Sequence, residues 1–198
     1  MSQSSVFSLR SSIAAVANKF FAIAVICAAA WAIQVMSSAF LRVQGDRLRL
    51  SGERVAAERL YKISVAIDPQ SWPAYLGLGQ VYSHYRYQEL DPLEKQKWAE
   101  LERDAFAKAY RHNTKKEEVV YGLGRAELAA GNRAAGLDYL RQAAHYKRFN
   151  DFYWRKLGIE LRKAGHYEEA LETFQYALKL NRSNGTVKHN IKWLKARR

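Results

Sequence analysis

Glycines at positions 45, 79, 124 and 158 stand 34, 45 and 34 residues apart. Other rows keep the same step. Gly131 and Gly165 are again 34 apart, with Gly52 ahead of them. A small or polar row holds Ala57, Glu102, Gly136 and Ala170. A bulky row holds Tyr61, Phe106, Leu140 and Phe174, and a further small row holds Ser64, Ala109, Ala143 and Ala177. Rows that share one offset mark an internal repeat, and the 45-residue gap is one 34-residue unit carrying 11 extra residues. In the last unit Trp154, Leu157 and Leu161 fall at i, i+3 and i+7, one stripe of a helix. A hairpin of two short helices cannot bury its own apolar face, so each must stack on its neighbours. Gly158 is expected to let the partner helix come close, and Gly131 and Gly165 to supply left-handed turns that end helices.

The clearest copy is DFYWRKLGIELRKAGHYEEALETFQYALKLNRSN, residues 151–184. Trp154, Leu157, Gly158 and Leu161 in its first half, and Ala170, Phe174 and Ala177 in its second, resemble the pattern of the tetratricopeptide repeat. The proline usual near the repeat end survives in the first copy as Asp68-Pro69, whereas Arg182 replaces it in the fourth. The third copy has Glu127 where a bulky apolar residue is usual, and Leu128 is expected to take over its packing. The resemblance implies an all-α fold, a solenoid of about four helix–turn–helix units. They span residues 38–71 (a degenerate copy), 72–116 with the insertion, 117–150 and 151–184. Residues 185–198 are expected to form a basic capping helix with Val187, Ile191 and Leu194 as its apolar stripe.

The insertion carries its own start signal. Asp91-Pro92-Leu93-Glu94 reads as an N-cap, a proline at the first helical position and a reciprocal carboxylate, opening a helix to about Tyr110. Tyr82, Tyr85 and Tyr87 before it read as an aromatic loop edge and a candidate partner contact.

The first forty residues are a different material. Residues 1–41 hold no acid and only two bases, Arg10 and Lys19. From Phe20 to Leu41 come 22 residues without a charge. As a helix they reach about 33 Å, against roughly 30 Å of bilayer hydrocarbon. A single membrane-spanning helix over 20–41, after a tail at 1–19, is the expectation. Ala30-Trp31-Ala32 resembles a signal-peptidase site, but the apolar run continues past it. Cys27 reads as a small apolar residue of the helix. Arg42, Arg47, Arg49, Arg54 and Arg59 after the span favour a cytoplasmic solenoid. The short N-terminal flank looks like a signal anchor, which exports the downstream chain, and the exported (periplasmic) side is preferred.

Charge narrows the partners. Lys and Arg number 32 against 19 Asp and Glu, a net +13, which suits acidic proteins, anionic lipid or nucleic acid. No nucleic-acid motif accompanies the charge, so RNA binding is a weak alternative. One cysteine excludes a disulfide framework and any multi-cysteine metal site. The five histidines share no ligand spacing, no catalytic constellation stands out, and no cofactor or enzyme activity is expected. Gly77-Leu78-Gly79 and Gly122-Leu123-Gly124 lack a preceding strand and are not read as phosphate loops.

In tetratricopeptide arrays the first helix of each unit lines the concave face. The resemblance places Arg42, Arg49, Gln80, His84, Tyr121, Arg125, Arg155, Lys156, Ile159, Arg162 and Lys163 there. Tyr121, Arg125 and the last five form the candidate groove for an acidic or C-terminal carboxylate segment. The carboxylate clamp of chaperone-binding members is not reproduced: Glu118, Gly122 and Gly77 stand in its place. These features suggest a membrane-tethered scaffold holding subunits of a membrane complex, with lipid as a second partner. The alternative is an assembly factor for envelope machinery such as pilus, cytochrome or polysaccharide systems.

Overall fold

The computed structural model describes residues 3–197, with side chains from Lys19 onward. The side chains expected to form the N-terminal tail, Arg10 among them, and Arg198 lie outside the described residues. Among the described residues there are nine helices and no strand. They are α1 (Gln3–Ser51), α2 (Arg54–Ile67), α3 (Trp72–Gln88), α4 (Pro92–His112), α5 (Glu117–Ala129), α6 (Arg133–Tyr146), α7 (Asp151–Ala164), α8 (Tyr167–Leu180) and α9 (Gly185–Lys195). Each helix packs on the next, and α3 also touches α1 and α5, so the hairpins stack in chain order.

The rows of the repeat are the seams of this stack. The Tyr61 ring of α2 wedges between Gly45 of α1 and Gly77 of α3. The Phe106 ring of α4 sits in the same way between Gly79 of α3 and Gly122 of α5. A Cβ at Gly79 would lie 2.8 Å from Phe106, and one at Gly158 would lie 2.8 Å from Phe174. Both approaches are closer than side chains tolerate. Gly77, Gly79 and Gly122 of the two glycine doublets are therefore slots for rings, in mid-helix, and Gly124 admits Gly136 and Leu140 of α6. Leu128 packs on Gly136, as expected for the residue beside Glu127.

The sharp turns follow one plan. Gly52, Gly131 and Gly165 have φ of +95°, +89° and +86°. At the last, the N–H groups of Gly165 and His166 donate back to Arg162 O and Leu161 O at 3.2 and 3.0 Å. That left-handed closure satisfies carbonyls that a helix end leaves free.

The insertion lengthens two helices. α3 runs on to Gln88, so Tyr82, Tyr85 and Tyr87 occupy its last turns and not a loop edge. Asp91 caps α4, accepting from Leu93 N–H and Glu94 N–H at 2.7 and 3.1 Å. The reciprocal carboxylate is Glu89, which accepts from Asp91 N–H at 3.0 Å; Glu94 instead pairs with Lys97. Between the extended helices Arg86 Nε donates to Glu102 Oε2 at 2.6 Å, with the Glu102 side chain fully buried.

α1 is one unbroken helix. Phe20, Phe21, Ile26, Trp31 and Ile33 are exposed on it. From Gln34 onward it packs against α2. Gln34 donates to Ile67 O, and the buried Ser38 and Ser64 hydroxyls lie 2.9 Å apart. The candidate span and the first helix of the first hairpin thus share one rod.

A bidentate ion pair ties α6 to α8: Arg141 donates to both Glu169 oxygens at 2.7 and 2.8 Å. Arg141 holds the Glu169 carboxyl below its ordinary value. A depressed folded value means the contribution is present above the unfolded value and fades as pH falls through the folded one. The stability gap between wild type and Arg141→Gln should therefore persist at neutral pH and close as the pH is taken below 4.5. Parallel thermal melts of the two proteins check this; a gap independent of pH would show that the pair carries no such charge.

Candidate protein-binding groove

Three of the odd-numbered helices, α3, α5 and α7, bring one recess together. Tyr87, Tyr121, Arg125, Phe152, Lys156, Ile159, Glu160 and Lys163 line it, with Leu140 beneath. Arg125 is held in place. Its guanidinium donates to Tyr87 Oη at 2.7 Å and lies 5.4 and 5.7 Å from the Tyr87 and Tyr121 ring centroids. Guanidinium over aromatic faces is an attractive geometry. Burial would push the Tyr87 phenol up, but the Arg125 and Arg86 charges outweigh it and hold the phenol below its ordinary value. Burial pushes the Tyr121 phenol up, so it stays neutral.

The apolar wall is aromatic. Tyr121 meets Phe152 edge-on at 5.4 Å and Tyr153 at 5.5 Å. Lys156 Nζ and the Arg155 guanidinium lie 5.5 and 5.6 Å from the Phe152 ring. Lys163 is paired with Glu160 at 2.8 Å, which removes part of the positive charge. Arg155 Nε is buried and has no acceptor among the described residues.

The structure therefore gathers Tyr121, Arg125, Lys156, Ile159 and Lys163 in one recess, with Arg155 at its rim. It sends Arg162 elsewhere: that guanidinium lies 5.0 Å over Trp193 of α9. Arg42 and Arg49 are engaged internally. Arg42 pairs with Asp46 at 2.8 Å, and Arg49 Nε donates to Tyr61 Oη at 3.3 Å. Gln80 lies beside them and His84 is half-buried.

The three candidate contact tyrosines also part company. Tyr82 is buried and stacks on Trp98 at 6.0 Å, and Tyr85 is half-buried and meets the same ring tilted at 4.9 Å. They pack α3 on α4, and of the three Tyr87 lines the recess. Phe152 and Glu160 are recess residues that the sequence pattern alone does not single out. Both lie four residues from Lys156, on its helix face, and that spacing is the signal that points to them.

The tetratricopeptide repeat family model matches residues 151–184. The fold is a tetratricopeptide-type solenoid. MamA superposes with a TM-score of 0.69 at 20% identity, covering 81% of each chain. YrrB, described as a TPR protein with an unusual peptide-binding site, gives 0.66 at 20% identity over 79% of this chain and 75% of its own. PilF of Pseudomonas aeruginosa gives 0.67 at 17% identity over 83% and 70%. At these identities the likeness is one of fold. No curated protein sequence matches the chain. Folds of this kind typically serve as interaction scaffolds without catalysis.

Proposed function

We propose that the chain is a membrane-tethered, non-enzymatic scaffold that holds a partner protein in the recess formed by α3, α5 and α7. The observation that carries this reading is the pre-positioned Arg125, fixed by Tyr87 and flanked by aromatic rings. Its side chain is already ordered, so a carboxylate arriving there gains a charge-assisted bond at low entropic cost. Lys156 and Arg155 add charge, and Phe152 and Ile159 add an apolar wall. The ligand that fits is an acidic or C-terminal segment bearing an apolar side chain.

The tether in this reading is α1, whose exposed apolar residues include Phe20, Phe21, Ile26, Trp31 and Ile33 and which is long and apolar enough to cross a bilayer once. Cells expressing a Cys27→Ser, Ala130→Cys chain report its side. Labelling by an impermeant thiol reagent in intact cells is expected if the solenoid is exported, as the signal-anchor pattern implies. Labelling only after lysis would place it in the cytoplasm, as the arginines after the span imply.

A photo-crosslinker at Ile159 should give a discrete protein adduct in native membranes, and one on the opposite face at Gln175 should not. Reversal of Arg125 and Lys156 to Glu in the Ile159 variant should remove the adduct while helical circular dichroism is kept. Equal adducts from both positions, or an adduct indifferent to the reversal, would move the site out of the recess. A permanent subunit keeps the adduct at constant stoichiometry after complex assembly is blocked or completed, whereas an assembly factor loses it once assembly is complete.

A further inference from the structure

The chain sorts its connections onto two edges. In the first hairpins Gln34 meets Ile67 and Ser38 meets Ser64. Then Tyr75 meets His112, Gly79 meets Phe106 and Arg86 meets Glu102. One index rises as the other falls, so successive helices are antiparallel. Connections that enter odd-numbered helices therefore share an edge with the apolar, N-terminal part of α1. Turns that leave odd-numbered helices lie on the opposite edge. Contacts run along the first edge: Lys147 pairs with Glu117 at 3.1 Å, and Asn184 donates to Asp151 at 2.9 Å.

Charge follows the same division. The four connections on the α1 edge (68–71, 113–116, 147–150 and 181–184) contain five bases: Lys115, Lys116, Lys147, Arg148 and Arg182. Their one acid is Asp68. The four turns on the opposite edge (52–53, 89–91, 130–132 and 165–166) contain no Lys or Arg and three acids: Glu53, Glu89 and Asp91. Lys115, Arg148 and Arg182 are exposed and have no acidic partner among the described residues. Phe149 stands 73% exposed at the tip of the third connection, under the Arg148 guanidinium. Basic side chains with a protruding aromatic match a headgroup layer. The other basic cluster, at the end of α9, is also exposed, with Arg197 lying 4.1 Å over the Trp193 ring.

Length fixes how close this edge comes to lipid. Between Lys19 and the first α2 contact at Gln34 lie 14 residues, about 21 Å of helix against roughly 30 Å of hydrocarbon. A span that begins after Lys19 uses residues beyond Gln34, beside the last turns of α2. That part of the surface is apolar: Met36 and Phe40 on α1 and Ile63 on α2 are exposed.

We propose that this edge rests on the anionic headgroups of the bilayer that α1 enters, with Lys115, Arg148 and Arg182 against lipid phosphates and Phe149 at headgroup depth. The proposal rests on the tethered reading above. The test uses the full chain, with Cys27→Ser, in nanodiscs. An environment-sensitive fluorophore is placed at Thr114→Cys on the proposed edge or at Leu90→Cys on the far one. Discs are of phosphatidylcholine alone or with about 30% phosphatidylglycerol. In the anionic discs the probe at 114 should shift to the blue and be quenched by headgroup-depth spin-labelled lipid, and the probe at 90 should do neither. Lys115→Glu, Arg148→Glu and Arg182→Glu together should abolish the response, as should about 0.5 M salt, which shortens the screening length. Equal quenching at both positions, or a response unaffected by anionic lipid, would overturn the proposal while leaving the tether standing. A chain extracted from vesicles by alkaline carbonate would instead defeat the tether, and the proposal with it.

Discussion

Phe106→Ala is expected to destabilise the protein by about 3–5 kcal/mol, the range for emptying a buried ring site. Phe106 is buried and its ring fills the slot between Gly79 and Gly122. The cost should fall on two interfaces at once, because the ring belongs to α4 and its glycines to α3 and α5. In a stacked array, stability is carried by such nearest-neighbour terms. Denaturant unfolding of the detergent-solubilised chain should show a lower midpoint and a broader, less cooperative transition. Gly122→Ala gives a sharper check. In the wild type the added methyl collides with Phe106 and should destabilise; in Phe106→Ala it enters the vacated slot and should restore stability. The effect of the methyl then has opposite sign in the two backgrounds, a result a double-mutant cycle measures directly. Additive effects would mean that the ring and the glycine do not share the seam.

The second large effect concerns the buried pair in the extended hairpin. Glu102 stands in a row whose other members, Ala57, Gly136 and Ala170, are small. It is tolerated because Arg86 donates to one oxygen, while its other oxygen has no partner among the described residues. Arg86→Met alone should cost about 3–5 kcal/mol by leaving a buried carboxylate unpaired. Arg86→Met with Glu102→Leu should recover that loss and can exceed the wild type by about 1–4 kcal/mol, since a well-packed apolar pair carries no desolvation penalty. Chemical denaturation of the three variants decides it. A single variant within about 0.5 kcal/mol of wild type, the size of an ordinary surface change, would show that water reaches Glu102.

Much of the architecture is legible from spacing because each row answers to one geometric need. Gly79, Gly124 and Gly158 recur where a helix must admit a neighbour's side chain, and Gly131 and Gly165 recur where the backbone turns left-handed. The groove is legible only in part, because exposure on a curved array depends on helix phase and on partners. Tyr85 and Tyr87 are two residues apart, about 200° around a helix, so they cannot face the same way. That phase argument applies only once α3 is known to run through both, and without it the three tyrosines group as one contact. Arg42 and Arg49 carry the right charge at open positions, yet Asp46 and Tyr61 absorb them. Arg162 is drawn to Trp193 on the helix that follows its own repeat, a pairing invisible to local pattern.

The continuity of α1 has a mechanical consequence. No hinge interrupts it between Phe20 and Ser51, so it behaves as a drive shaft and not as a leash. A tilt or twist imposed on the greasy end is transmitted to the whole stack, and the Arg125 recess keeps one compass bearing about the shaft. Adding a single alanine after Ile33 would swing that bearing by about 100° without altering one contact inside the solenoid.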